Sequence, residues 1–418
     1  MDMGYSEKKK ILILSASFGD GHNQVAKAIC EAAEFSLPEV EPIILDIMEW
    51  VHPHLYPITN YLYKRGIKRF PTVYSYFYKR TRETNSFSIT LNSILSAGMR
   101  SVLQYINTIK PAVVVSTYPF AAGIMSKLKE QGLIHVPIVT VITDYTDHSY
   151  WIHPNTDQYI VGSSQVLEKL ISVGVETTKI KCTGIPIRQR FTHDYSRKKL
   201  AAKLGLDPGK FTLLVMGGGE GLIGKGISTF YALDSIQVPL QIIIICGRND
   251  KLLRQLDEVA QQSKHDIVLR GFCEDVNELM AVSDVMITKP GGVTAAEAIA
   301  MELPLMIYDP LPGQEEDNAN YLLEAGLALH AENESDLILK IQLLLRESFV
   351  LSRMKENIRK CQTNTSAFEA LNAIIRTYSH QDSNDFIAFW PNKFRGELKN
   401  SDPESHPYLV EKNIKYEV

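Results

Sequence analysis

Short, continuously apolar runs recur from end to end of the chain, each leading into a helical pattern. They restrict the fold more than any other feature. In the first half they are Ile11–Ser15, Ile43–Ile47, Ala112–Ser116, Ile138–Ile142, Tyr159–Val161 and Ile180–Thr183. In the second half they are Leu213–Met216, Leu240–Cys246, Ile267–Leu269, Val285–Ile287 and Leu305–Tyr308. A strand with one wet face alternates apolar and polar side chains. Most of these do not, so helices must cover both faces, as in a parallel sheet. Two successive strand-helix sets predict an α/β protein of two Rossmann-like, doubly wound domains. A length of 418 residues agrees, since it exceeds what one core usually supports. Polar, basic Arg188 to Lys203 separates the sets, between Gly184-Ile185-Pro186 and the Pro208-Gly209 turn. The expected domains are 1–190 and 205–365, with a C-terminal helix and tail, 366–418, returning to the first. Ligands of such sheets collect beyond the carboxyl ends of the strands, so facing domains predict a central cleft.

Hydrophobic content of 45% and charged content of 22% are those of a soluble globular protein. The net charge of −4 decides nothing about polyanions. No apolar run reaches the roughly 18 residues of a membrane span. Lys8-Lys9-Lys10 before Ile11 to Leu14 mimics a signal peptide, but the run is too short and reads as a buried strand. Cys30, Cys182, Cys246, Cys273 and Cys361 have no metal-ligand spacing and read as buried, reduced thiols of a cytosolic protein.

Residues 56–110 break the rhythm. Tyr63, Tyr76 and Phe77 mix with Lys64, Arg65, Lys68 and Arg69, and from 61 to 110 nine Lys or Arg face one acid, Glu83. Interleaved rings and cations suit an anionic membrane surface. The alternative is a helical pair packed on the domain with a wet basic face. Single-stranded nucleic acid also uses this composition, but the rest of the chain lacks a basic footprint, so no nucleic acid is expected. A second aromatic-basic patch, Phe386 to Arg395, either docks on the N-terminal domain or touches lipid.

Two ordered clusters carry the chemistry. Thr288-Lys289-Pro290-Gly291-Gly292-Val293-Thr294 runs from strand through paired glycines into a helix, placing open backbone N–H groups where an anion binds. Glu297 lies about one turn inside that helix, in reach of a neutral diol. Gln314 to Asn318, with Glu315, opens the next helix. Diphosphate, ribose and sugar each find a partner, which predicts a nucleotide-sugar site.

Three strand-end loops complete the pattern. Ser15 to Asn23 contains Gly19 and Gly21, which permit close approach to a ligand, and His22, an imidazole suited to accept a proton near neutral pH. The plain reading is that His22 braces the turn. Asp144, in Thr143-Asp144-Tyr145-Thr146-Asp147, either orients a protonated His22 or caps the following turn. The loop with Gly218 and Gly219 approaches the diphosphate or the acceptor across the cleft. It also holds Gly219-x-Gly221-x-x-Gly224, formally a dinucleotide fingerprint, with Arg248 at the end of the next strand where an NADP-type arginine could sit. An NAD(P)-dependent oxidoreductase is therefore one rival, though it leaves the second glycine-rich site unexplained. A UDP-sugar sensor that does no chemistry is another. No Asp-x-Asp pair is present, so no metal and no cofactor is expected, and helix dipole and N–H groups neutralise the diphosphate.

At Ser17-Phe18-Gly19-Asp20-Gly21-His22-Asn23, Thr143-Asp144, Thr183-Gly184-Ile185-Pro186-Ile187, Met216 to Gly221, Cys246-Gly247-Arg248-Asn249, Lys289 to Thr294 and Gly313-Gln314-Glu315, the chain resembles the glycosyltransferases that make monogalactosyl- or glucosyl-diacylglycerol. These are relatives of the lipid-linked N-acetylglucosaminyl transferase of peptidoglycan synthesis. The match covers about residues 8–378. It implies a GT-B fold and inverting, metal-independent transfer of a hexose, glucose favoured over galactose, from a UDP-hexose to diacylglycerol, with possible repetition. It further implies His22 as general base, the Phe272 backbone facing uracil, Glu297 on the ribose, Gly291 to Thr294 as the phosphate loop, and Gln314 and Glu315 on the sugar. The expected location is cytoplasmic, peripheral on the inner face of the cell membrane, with segment 56–82 approaching the bilayer.

Overall fold

The computed structural model describes residues 8–17, 20–51, 99–219, 221, 224, 226–362 and 364–379. Tyr63, Lys64, Arg65, Lys68, Arg69, Tyr76 and Phe77 lie outside the described residues, as do Gly19 and the tail from 380 onward.

Two six-stranded, wholly parallel sheets form the molecule. The first holds β1 Lys9–Ser15, β2 Val40–Asp46, β3 Val113–Ser116, β4 Ile138–Val141, β5 Gln158–Val161 and β6 Ile180–Cys182, in the order β2-β1-β3-β4-β5-β6. The second holds β7 Thr212–Met216, β8 Gln241–Ile245, β9 Asp266–Arg270, β10 Val285–Thr288, β11 Leu305–Tyr308 and β12 Ala328–Ala331, in the order β12-β11-β10-β7-β8-β9. All eleven expected strands are present. Ile11 to Leu14 are fully buried, which explains their unbroken apolar run, and each such side chain truncated to alanine would cost about 2–5 kcal/mol. Two details differ from expectation. Ile47 opens the short helix Ile47–Val51 instead of ending β2. β12 was not foreseen, because Ala-Leu-His-Ala at a sheet edge lacks the β-branched content of the inner strands.

Strand order reverses between β1 and β3 in the first sheet and between β7 and β10 in the second. Loops diverge at such points and leave a crevice at the strands' carboxyl ends. The two crevices face each other. The helix Ser366–Ser379 packs on the Asp20–Ser36 helix and against β3 and β5, so the chain returns to the sheet where it began. Of the cysteines only Cys246 is buried; Cys182 is exposed and the other three are partly exposed, all as free thiols, so burial was over-predicted. Among the described residues no helix is long and apolar enough to cross a membrane.

Candidate active site

His22 is set by a polar staple at the end of β1. β1 and β2 run in register, with Ser15 opposite Asp46. Asp46 Oδ2 accepts from the Ser17 N–H at 2.8 Å and the Ser17 hydroxyl at 2.6 Å. Its Oδ1 accepts from the N–H groups of Met48 and Glu49 at 3.0 and 3.2 Å. Asn23 donates to Ser17 Oγ at 3.0 Å and accepts from Ser15 Oγ at 2.5 Å. The first turn of the Asp20–Ser36 helix is thereby fixed, with His22 turned to the crevice. The ring lies edge-on to Tyr118, 5.2 Å between centroids, and 6.0 Å from Trp151. Its Nδ1 is 3.1 Å from Thr143 Oγ1. Burial pushes the imidazole below its usual 6.5, against the opposing pull of the Asp144 carboxylate and the Thr117 carbonyl. A neutral ring at neutral pH is a base ready to accept a proton.

Opposite stands the Gly292–Ala300 helix. Gly291 caps it with φ −65 and ψ 142 and no side-chain hydrogen bond, so its leading N–H groups have no side-chain cap. Glu297 is 8% exposed, and its carboxyl forms no hydrogen bond among the described residues. Burial raises its carboxyl to about 8, against the pull of Arg190 and Arg188. Glu315 opens the Gln314–Glu324 helix and accepts from the Leu311 N–H at 2.6 Å; burial raises it to about 7, with Lys289 pulling down. Gly313, at φ +109, makes the turn into that helix, a conformation that suits glycine.

These elements enclose a cleft of about 670 Å³. Gly21, His22, Asp144, Gly218, Gly219, Arg248, Phe272, Gly291, Gly292, Thr294, Glu297, Gln314 and Glu315 all line it. Asn318 does not. It is completely buried, with Oδ1 accepting from the Tyr145 N–H at 2.7 Å and Nδ2 donating to Asp144 Oδ1 at 3.0 Å, so its amide joins the two halves instead of facing the cavity. Beside it Tyr145 stacks on Tyr321 at 4.0 Å and Thr146 donates to Asp317 at 2.7 Å. Arg248 reaches across the cleft mouth to Asp20 at 3.1 Å, its Cζ 4.4 Å over the Phe272 ring.

Sequence reasoning missed several cleft residues. Lys27, Arg188 and Arg190 add positive charge to the wall; Arg188 pairs with Glu31 at 2.7 Å and Arg190 donates to the Glu274 carbonyl at 2.8 Å. Arg188 and Arg190 are part of the expected polar linker, and Lys27 was not singled out. The alternating basic residues directly after Ile185-Pro186-Ile187 were the available signal. The formal dinucleotide fingerprint does not turn straight into a helix: the connection leaving Met216 reaches its helix only at Ile227. A dinucleotide fold places its glycines in a short turn opening the helix directly. Among the described residues no three His, Cys, Asp or Glu side chains are grouped as a metal would need.

Comparison with known proteins accords with this arrangement. A family model described as monogalactosyldiacylglycerol (MGDG) synthase matches residues 22–187, and one described as glycosyltransferase family 28 C-terminal domain matches residues 212–372. A processive diacylglycerol beta-glucosyltransferase of Bacillus pumilus is 31% identical over 373 residues, covering 88% of this chain and 94% of the relative. One from Bacillus cereus is 32% identical over 367 residues, covering 88% and 93%. Among solved structures, MurG of Acinetobacter baumannii aligns over 88% of this chain and 99% of its own, with a TM-score of 0.56 at 12% identity. Anabaena HepE in complex with UDP-glucose aligns over 90% and 100%, with a TM-score of 0.53 at 13% identity. At that identity the structural likeness establishes the GT-B fold alone.

Proposed function

The chain belongs to the family of diacylglycerol glycosyltransferases, and from that membership we propose that it transfers a hexose from a UDP-sugar to the hydroxyl of diacylglycerol, with His22 as general base. Glucose is the favoured hexose, because the curated relatives are named β-glucosyltransferases and processive, so successive additions belong to the same reading. One observation carries the assignment of roles: His22 and the helix start at Gly292 face one cleft from opposite halves, with the Glu297 carboxyl a turn inside and without a hydrogen-bonding partner among the described residues.

In this reading the uracil lies by the Phe272 backbone, the ribose diol meets Glu297, the diphosphate meets Gly291 to Thr294, and the sugar meets Gln314 and Glu315. Gly218, Gly219 and Arg248 close over the donor from the other wall. The acceptor hydroxyl attacks the anomeric carbon as His22 takes its proton, and the UDP oxygen leaves from the opposite side, so an α-linked donor yields a β-glycoside. Charge growing on the diphosphate is met by the helix N-terminus, with no metal invoked. Asp144 stabilises the imidazolium that forms. Apposed halves keep water from competing for the donor. The aromatic-basic segment, with Tyr63, Lys64, Arg65, Lys68, Arg69, Tyr76 and Phe77, would hold the protein peripherally against anionic lipids on the inner face of the cell membrane. Its composition supports that reading.

The test is transfer of labelled sugar from UDP-glucose or UDP-galactose to diacylglycerol vesicles by the full chain and by His22→Ala. The variant should lose about 10²–10⁴-fold in turnover while UDP affinity is kept. Turnover near the unmodified level would remove His22 as the base. UDP binding without lipid labelling by the unmodified chain would favour a sensor instead.

A further inference from the structure

A line of polar contacts runs from the His22 ring into the opposite half. His22 Nδ1 lies 3.1 Å from Thr143 Oγ1. That hydroxyl donates onward to Asp144 Oδ2 at 3.4 Å. Asp144 Oδ1 accepts from Asn318 Nδ2 at 3.0 Å, and Asn318 Oδ1 accepts from the Tyr145 N–H at 2.7 Å.

The backbone N–H and the carboxylate on this line have fixed roles, and they orient the groups between them. A backbone N–H can only donate, so the Asn318 oxygen faces Tyr145 and the Asn318 amino group faces Asp144. A carboxylate only accepts, so the single Thr143 hydroxyl proton points at Asp144. In that arrangement Thr143 Oγ1 offers His22 a lone pair and Nδ1 carries the ring proton. The free lone pair of the neutral ring falls on Nε2, the nitrogen left for an incoming hydroxyl. Thr143 is 2% exposed and Asn318 fully buried, so water does not substitute for either.

We propose that Thr143 is the positioning residue of the base, a hydroxyl relay between His22 and the Asp144 carboxylate that Asn318 holds from the other half. Thr143 acts through His22. It fixes which nitrogen is free and lets Asp144 support the imidazolium as it forms. Asn318 sits on the helix whose first residues, Gln314 and Glu315, line the donor side. The relay is therefore complete only when the halves are together, and it ties readiness of the base to placement of that helix. The inference rests on the reading of His22 as base.

The experiment measures kcat, the KM for the UDP-sugar and the pH profile of kcat for the full chain carrying Thr143→Val, Thr143→Ser, Asn318→Ala or Thr143→Val with Asn318→Ala. Valine keeps the shape and removes the hydroxyl. It should lower kcat on the order of 10- to 100-fold, part of what a general base contributes, with KM within about twofold. Besides Asp144, His22 faces the Thr117 carbonyl and the rings of Tyr118 and Trp151, none of which the substitution alters. The acid limb should accordingly move to lower pH, because the Asp144 charge no longer reaches the ring through a hydrogen bond. Serine should recover most of the rate. The double variant should be no slower than Thr143→Val, since both changes interrupt one line.

An unshifted acid limb with unchanged kcat in Thr143→Val would overturn the relay, as would a serine variant no better than valine. If Thr143→Val fails to fold, an Asn318→Ala protein with unchanged kcat and limb overturns it equally. An active His22→Ala enzyme sinks the base itself; an inactive one beside a normal Thr143→Val sinks only the relay.

Discussion

Gly292 presses on Thr143 so closely that a Cβ at Gly292 would stand 2.2 Å from the Thr143 carbonyl oxygen and 2.8 Å from the Asp144 Cα. Both obstacles are backbone, so neither can turn aside. Gly292→Ala must push the Gly292–Ala300 helix away from the strand end that carries Thr143. Thermal unfolding should show a loss of about 1–3 kcal/mol, the usual cost of overpacking, together with a sharp fall in kcat. Gly291→Ala is the control, since its Cβ would meet nothing nearer than Thr294 Oγ1 at 4.0 Å. That variant should melt close to the unmodified protein.

Burial of the Glu297 carboxyl opposes folding once the unfolded chain is ionised. Its carboxyl rises from 4.5 to about 8 on burial, so between those pH values the unfolded chain is ionised and the folded one holds a proton. Folding becomes costlier as pH climbs through that window and levels off above about 8. Glu297→Gln removes the titration. It should melt higher than the unmodified protein at pH 8, by on the order of 1–3 kcal/mol, and converge with it near pH 4.5. Its KM for the UDP-sugar should rise, because an amide grips the ribose diol less well. A variant with unchanged melting at pH 8 would contradict the buried acid; an unchanged KM would contradict the ribose contact.

Arg248 and Asp20 form an ion pair with side chains 45% and 46% exposed. Pairs so open to water contribute at most about 1 kcal/mol. Asp20→Asn should leave the melting temperature nearly untouched. Arg248→Ala should also fold normally, yet weaken UDP binding several-fold, measurable by calorimetry at low and high salt. Equal UDP affinity in both proteins would take Arg248 out of the donor site.

The pH dependence of transfer follows from His22. Only the neutral ring can take a proton, and burial holds its pKa under 6.5. Activity should persist through pH 6.5 and decline only at more acid values, as seen in kcat/KM measured from pH 5 to 8. The same lowered pKa means that the unfolded chain binds the extra proton first, so His22 also weakens folding as pH drops below 6.5. An acid limb centred at or above 6.5 would assign the titration to another group.

What could be read from the linear chain was whatever local periodicity or turn chemistry encodes. Ile242 to Ile245 can only be a strand covered on both sides, and Gly291-Gly292 before Val293 to Ala300 can only be a strand-to-helix turn with open N–H groups. What stayed hidden depends on contacts between distant residues. Asn318 meets Asp144 over 174 positions of sequence, and nothing in Gln314 to Asn318 shows that its last member points away from the cavity. Thr143 was quoted for its neighbour, although its own hydroxyl is what touches the imidazole. Asp46 looked like the end of a strand until the register of β1 on β2 set it beside Ser17.

The backbone crosses between the halves twice. It leaves β6 and is fastened to the second half through Arg190 and Arg197, which binds Asp284 at 2.8 Å. It then comes back between Gln362, held by the Ala300 carbonyl, and the helix Ser366–Ser379. A body pinned at two points can swing about the line joining the pins and cannot swivel. Two such crossings restrict the ways in which the halves carrying His22 and Gly292 can part.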